Sequence, residues 1–412
     1  MRAESSAMPS AGVRKAERRS RLPNRRLLWI VDRDRVEAGQ IIVSPVISAN
    51  PQLKSSAASA EAQGPPEAAP NIGGTRLSSR DSAAVTCASS IEDPLEYGVA
   101  LPWTARYYPM GIPVDIETNS AAVLGVADQI WGGYASLART AALTDAAGVT
   151  FRIAVSDRDA VVAPFPSMPL GQGHLVTMVQ GPSNFAVCDL RTSFGFARLT
   201  RDVAGDSVYF RYHFLEPAVY VMISARYLSP LHAACVEFNG RALVLCGNSG
   251  AGKTTLAYAC ATKGWKYLSD DATHIVRGRP DHTVAGRPLS IRFRETARNL
   301  FPELKAWTPE RRPNGKLDLE ISTRDLGLAT TFESKACGVV FLNRESPGGR
   351  PRIVPFPAAD ALEEFSRAVC FGDDAMRADQ TDAFRRFTEL PIVELTYGSP
   401  DSAERALRAL VS

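Results

Sequence analysis

In the run Gly247-Asn248-Ser249-Gly250-Ala251-Gly252-Lys253-Thr254-Thr255 the first eight residues fit the spacing GxxxxGK[ST]. Glycines at these places let a backbone wrap closely enough for its N–H groups to cradle phosphate oxygens. A helix opening at the last of them aims its positive end at the same phosphates. Lys253 adds a charge for the β and γ phosphates, and the Thr254 hydroxyl is placed to ligate Mg²⁺. The chemistry implied is binding of a nucleoside triphosphate, ATP, with magnesium. The bare pattern arises by chance in on the order of 1% of chains of this size, so its setting must carry the rest.

The next carboxylates along the chain are Asp270-Asp271, 17 residues after Lys253 (270 − 253). One of the pair could hold Mg²⁺ directly or through water. The other could accept the proton of an attacking hydroxyl. His232 precedes the loop by 15 residues (247 − 232) and could contact phosphate or help in proton transfer. Arg292 and Arg294 follow a stretch rich in Gly, Arg and Pro, and either could stabilise charge on a transferring phosphoryl group. Lys316, after Asn314-Gly315, could do the same. For each of these three cations a solvated surface charge is the plain alternative, and for His232 it is a satisfied structural histidine.

These groups need elements to hold them. Ala242 to Cys246 reads as a strand running into the loop, Thr254 to Thr262 as the helix that leaves it, and Gly264 as its stop. Ala233 to Phe238 precedes the loop strand through Asn239-Gly240, a hairpin signal. Trp265 to Ser269 is the strand that delivers the aspartates, and a right-handed crossover places it parallel to and near the loop strand. Strands are expected at Gly338–Leu342 and Ile392–Leu395, with helices at Ala358–Val369 and Ser402–Val411. Upstream, Val123, Val126, Ala127, Ile130, Trp131, Tyr134 and Leu137 recur at helical spacing, so Ser120–Leu137 is expected to be a helix with Asn119 or Ser120 as N-cap. Thr150–Val155, Leu175–Gln180, Ala186–Leu190 and Val208–Phe214 read as strands, and Glu216–Tyr227 as a helix.

The division that follows is three-part: a leader over 1–95, an α+β unit over 96–229 and a phosphate-loop unit over 230–412. Residues 51 to 90 are dominated by Ala, Ser, Pro, Gly and Gln, a composition that cannot offset its ordering entropy, so the leader is expected to be disordered. The chain of 412 residues is 45% hydrophobic and 22% charged, with 47 Lys and Arg against 44 Asp and Glu. That near balance gives no reason to expect nucleic acid or an anionic membrane as partner. No run approaches the ~18 apolar residues of a membrane span. The arginine-rich run Arg14–Arg26 reads as a solvated tail. The 7 cysteines are scattered without a CxxC pair, which suits reduced thiols in a cytoplasmic protein and offers no zinc site.

Leu231-His232, the run Val244 to Thr254, Gly264 and Leu268-Ser269-Asp270-Asp271 together resemble the catalytic domain of HPr kinase/phosphorylase, and more closely the broader set of HPr-kinase-like serine kinases. The likeness is firm over about 230–275 and looser to 412, while Tyr108-Pro109-Met110-Gly111 is similar to the N-terminal part of that set. It implies an α/β fold with a phosphate-loop core akin to phosphoenolpyruvate carboxykinase. It also implies an ATP-dependent kinase acting on a serine of a protein or peptide. By motif position Asp270 would be the base, Asp271 and Thr254 would serve Mg²⁺, and His232 would belong to the phosphate site. A homo-oligomer is permitted, because the family includes hexamers. The family's glycine-rich signature matches only in part at Ala285-Gly286-Arg287-Pro288-Leu289-Ser290-Ile291-Arg292, with one Gly and no Glu. Phosphorylase activity and HPr itself are therefore not implied. Two alternatives stay open: an ATP-binding regulatory module without catalysis, and a small-molecule kinase using Arg292, Arg294 or Lys316.

Overall fold

A computed structural model describes residues 98–134, 147–156, 168–181, 183–311, 317–345, 350–367 and 372–412, together with two strands, Ile30–Val31 and Ile41–Ser44. The rest of the expected leader lies outside the described residues, as do Lys316, Cys87 and Cys370. The architecture is mixed α/β with three sheets.

Alternating apolar and polar residues build the first sheet. In Val114–Thr118 and Asn184–Asp189 every second side chain is buried. The strand order is Ile30–Val31, Ile41–Ser44, Met168–Gln172, Leu175–Gln180, Asn184–Asp189, Phe194–Thr200, Val149–Ser156, Val114–Thr118 and Trp103–Tyr107. Val123, Val126, Ala127 and Trp131 of the helix Ala121–Trp131 join its core. That helix is shorter than expected. It gives way to a 3-10 turn at Gly132–Tyr134, and Leu137 lies outside the described residues. Ser120 occupies the N-cap without a side-chain cap bond, whereas the Asn119 amide bonds both the N–H (2.8 Å) and the carbonyl (2.9 Å) of Val155.

The strand expected at Val208–Phe214 is helical instead. Asp206 accepts from the Tyr209 N–H at 2.9 Å and starts the helix Ser207–Phe210, which passes through a π-turn, Arg211–Leu215, into Glu216–Arg226. Aromatic and β-branched residues favour a strand by type. Burial decided otherwise: Phe210, Phe214, Ala218 and Met222 recur every four residues and all are buried. Pro217 follows the π-turn, where a residue without an N–H is tolerated in the opening turn.

The second sheet holds the glycine-rich loop Gly247–Gly252. Its main path runs Leu228–Leu231, Thr273–Val276, Thr283–Ala285, Glu333–Arg344, Arg241–Cys246, Ala234–Phe238 and Lys266–Ser269. Ile392–Tyr397 pairs in parallel with Glu333–Arg344, and Arg352–Pro355 pairs antiparallel with it in turn. The expected hairpin forms, with Asn239 at φ 52 and Gly240 at φ 79, the left-handed pair that such a two-residue turn requires. The helix leaving the loop spans Lys253–Ala261, and Gly264 at φ 88 follows it. The aspartate strand runs in the same direction as the loop strand, but the hairpin strand Ala234–Phe238 lies between them, antiparallel to both. The direct parallel neighbour of the loop strand is Glu333–Arg344. Three parallel strands therefore end on one edge, with the loop at that edge.

A third, three-stranded sheet, Ser290–Arg294 with Leu317–Ser322 and Glu310–Arg311, packs Ile291, Phe293, Leu319 and Ile321 into the core beneath the loop helix. Tyr258 of that helix sits edge-on to Phe293 and Phe301, with ring centroids 5.0 and 4.8 Å away.

Candidate functional site

The loop strand is buried along Ala242–Cys246, so the chain emerges from it in one fixed direction. Three turns then depend on glycine. Gly247, Gly250 and Gly252 have φ of 143, 94 and 97°, a region that side-chain-bearing residues rarely adopt. Gly252 has a second reason: a Cβ there would collide with the Tyr397 hydroxyl. That hydroxyl donates to the Ala251 carbonyl at 2.7 Å and clips the loop to the end of the strand Ile392–Tyr397. Asn248 and Gly250 are exposed on the rim. Thr254 and Thr255 stand in the first turn of the helix, whose leading N–H groups have no partner within the helix itself.

Lys253 points inward and is buried. Its ammonium donates to the Gly247 carbonyl at 2.7 Å and lies 3.2 Å from His232 Nε2. The other ring nitrogen, Nδ1, is 3.0 Å from Asp271 Oδ1. These partners assign the proton to Nδ1: it donates to the carboxylate, while Nε2 accepts from Lys253. His232, Lys253 and Asp271 thus form one chain. Ser269 Oγ and Thr273 Oγ1 lie 2.7 Å apart, and Thr273 Oγ1 donates to the Ala233 carbonyl at 2.8 Å. That pair pins both ends of the aspartate turn beside the residue after His232.

Asp270 faces the other way. Its Oδ1 accepts from the Tyr267 hydroxyl at 3.1 Å and its Oδ2 from the Arg292 backbone N–H at 3.1 Å. Burial raises its carboxyl above the ordinary range and the charge of Asp271 raises it further; the Arg292 charge and the two hydrogen bonds oppose them. A carboxylate lifted in this way is the better proton acceptor near neutral pH.

Behind Asp270 lies a cluster that the sequence reading missed. Glu320 Oε1 accepts from Arg211 (2.8 Å) and Ser290 (3.2 Å), and its Oε2 accepts from Tyr212 (3.0 Å) and Arg292 (3.4 Å). Arg211 also reaches Glu216 at 3.1 Å. Arg287 lies 3.9 Å from Glu216 and stacks on the Tyr220 ring, 4.9 Å from its centroid. Burial opposes the charge of Arg292, and Tyr212 and Glu320 more than restore it. Arg211 and Tyr212 come from the π-turn, Arg287 and Arg292 from the Ala285–Arg292 stretch, and Glu320 from the third sheet. No local pattern joins those segments, so no sequence signal could have found the cluster. His274, buried nearby, is pulled down to about 3 by burial and by Arg287, and is therefore neutral.

The arginines separate. Arg292 turns its guanidinium to Tyr212 and Glu320 and meets the site through its backbone. Arg294, two residues on and exposed, donates to Ser249 Oγ of the loop at 2.8 Å. Among the described residues no three His, Cys, Asp or Glu converge as a metal cluster. The Thr254 hydroxyl and the Asp271 carboxylate are hard oxygen donors, and Mg²⁺ usually takes one or two protein ligands beside water and phosphate oxygens, so the donor set suits it. No helix among the described residues is long and apolar enough to cross a membrane. The described cysteines Cys188, Cys235, Cys246 and Cys260 are free and buried, and Cys337 is free and half-buried.

Comparison with known proteins adds likenesses to that geometry. A family model described as "SynChlorMet cassette protein ScmC" matches residues 206–290, a span that holds the π-turn, the loop and both aspartates. Among solved structures the chain is similar to the Hpr(Ser) kinase/phosphatase from Coxiella burnetii, at 10% identity and a TM-score of 0.25, over 44% of this chain and 94% of that one. No curated protein matches.

Proposed function

We propose that this chain is an ATP- and Mg²⁺-dependent kinase that transfers the γ-phosphoryl group to a serine hydroxyl of a protein or peptide. The observation that carries this reading is the placement of two carboxylates with different surroundings beside one glycine-shaped loop. Asp271 joins the loop lysine through His232, and Asp270 is held by Tyr267 and the Arg292 N–H with its carboxyl raised.

In this reading the loop N–H groups and the first turn of the helix Lys253–Ala261 bind the phosphate chain. Lys253, released from the Gly247 carbonyl, sets its charge on the β and γ oxygens, while the Asp271–His232 pair limits where its ammonium can go. Magnesium, held by Thr254 and Asp271, would neutralise charge on those oxygens. Asp270 takes the proton from the acceptor hydroxyl as that oxygen bonds to the γ-phosphorus. The bond to the β–γ bridging oxygen breaks, ADP leaves, and the proton on Asp270 passes to water. The acceptor is a protein or peptide, and no membrane or nucleic acid is assigned a part.

The test is incubation of the purified protein and an Asp270→Asn variant with γ-labelled ATP, Mg²⁺ and lysate of the source organism. Label reaching a discrete protein or peptide, and lost in the variant, supports the kinase. ATP binding without transfer by either protein overturns it and leaves a regulatory binding module. Label on a small molecule alone replaces the acceptor class.

A further inference from the structure

We infer that Arg294 is the arginine that contacts the transferring phosphoryl group, reaching it over the rim of the loop, an assignment that rests on the kinase reading and deepens it. The strand Ser290–Arg294 runs between Asp270 and the loop. Its inward side chains, Ile291 and Phe293, are fully buried in the core beneath the loop helix. Alternation places Ser290, Arg292 and Arg294 together on the opposite face. One end of this strand supports the base: the Tyr267 hydroxyl that donates to Asp270 lies 3.2 Å from the Ser290 carbonyl, and the Arg292 N–H holds Asp270. The other end meets the loop, where Arg294 Nη2 donates to Ser249 Oγ. Arg292 and Arg294 are roughly 7 Å apart along an extended chain. A single strand anchored by its core residues therefore ties the carboxylate to the loop rim.

The three cations near the loop divide the work. Lys253 is buried on the inner side and engages Gly247 and His232. Arg292 is held by Tyr212 and Glu320. Arg294 is exposed, and among its contacts is the neutral Ser249 hydroxyl of the loop. A guanidinium readily exchanges such a contact for a charge-assisted, two-pronged one to phosphate oxygens. As the acceptor oxygen bonds to the γ-phosphorus and the bridging bond breaks, negative charge grows on the bridging and peripheral oxygens. Arg294 is placed to meet that charge, with the proton going to Asp270 and the electron pair leaving on ADP.

An arginine in this role distinguishes ATP from ADP, whereas a residue that merely clips the loop does not. The experiment measures Mg-ATP and Mg-ADP affinity by calorimetry for the full chain, Arg294→Ala and Arg294→Lys, with thermal unfolding confirming that each is folded. The expected result is at least a tenfold loss of ATP affinity in Arg294→Ala with less than a twofold change for ADP, and partial recovery in Arg294→Lys. Where label transfer is measurable, its rate falls on the order of 10²-fold in Arg294→Ala and stays low in Arg294→Lys, because an ammonium lacks the fork. Equal losses for both nucleotides, or no loss for either, overturn the assignment while ATP binding by the unaltered chain keeps the kinase reading alive. If the unaltered chain binds neither nucleotide, both readings fall.

Discussion

Backbone dihedrals shape the glycine-rich loop, whereas side chains from distant segments shape the surroundings of Asp270. In the loop, three positive-φ glycines and one helix start follow one another within nine residues, and Tyr397 adds a single distant clip. Asp270 is held by Tyr267 and the Arg292 N–H, and Arg292 is held in turn by Tyr212 and Glu320, which also takes Arg211; these residues come from the aspartate strand, the π-turn and the third sheet. A loop of the first kind tolerates change almost anywhere except at its own residues. An environment of the second kind can be broken from far away, because each charge in it depends on the others.

That contrast can be tested most severely at Asp270. Asp270→Asn should reduce label transfer by on the order of 10³-fold, the size expected for a lost general base, while leaving ATP affinity within twofold. The same change should raise thermal stability. The folded-state carboxyl is raised above its unfolded value, so the ionised form is disfavoured in the fold, and stability falls as pH rises through the folded value. The gain from Asn should therefore be larger at pH 8 than at pH 4. A variant less stable than the parent at pH 8 would show that Asp270 is held by its partners more strongly than it is penalised by burial.

The cluster behind it should respond next. Glu320→Ala leaves Arg211 and Arg292 without their shared carboxylate and should cost about 3 kcal/mol in urea unfolding. It should also lower transfer, through Arg292 and Asp270, with ATP affinity unchanged. Gly252→Ala should do the reverse. Strain at that φ and the contact with Tyr397 should cost about 2 kcal/mol and weaken ATP binding. Adding Tyr397→Phe should recover part of the loss, since it removes the hydroxyl but not the dihedral strain, and a double-mutant cycle reads that part directly. The smallest effect is expected from Tyr267→Phe. Its hydroxyl holds the Asp270 carboxyl down, so its removal should move the acid limb of the pH–rate profile upward with little change at the plateau.

Much of the loop was legible because its determinants are local. The GxxxxGK[ST] spacing, the apolar strand before it, the Asn239-Gly240 turn and the stop at Gly264 each act over a few residues, and each appears where its chemistry places it. The pairing of His232 with Asp271 was within reach only as two separate candidates, since 39 positions (271 − 232) part them in the chain. The run 208–214 shows how residue type misleads. Its aromatic content favours a strand, but the spacing of Phe210, Phe214, Ala218 and Met222 and the cap at Asp206 made it helical.

The amino-acid sequence alone determined the loop, the hairpin that leads into it, the helix that leaves it and the delivery of two adjacent aspartates. Short-range sterics and hydrogen bonding suffice for those. Only the tertiary structure decided that the aspartates face opposite ways, that Arg294 and not Arg292 touches the loop, and that Glu320 gathers two arginines behind Asp270. Those outcomes depend on which segments share a buried volume. Where charges must be desolvated together, the partners are chosen by packing across the whole fold rather than by their neighbours in sequence.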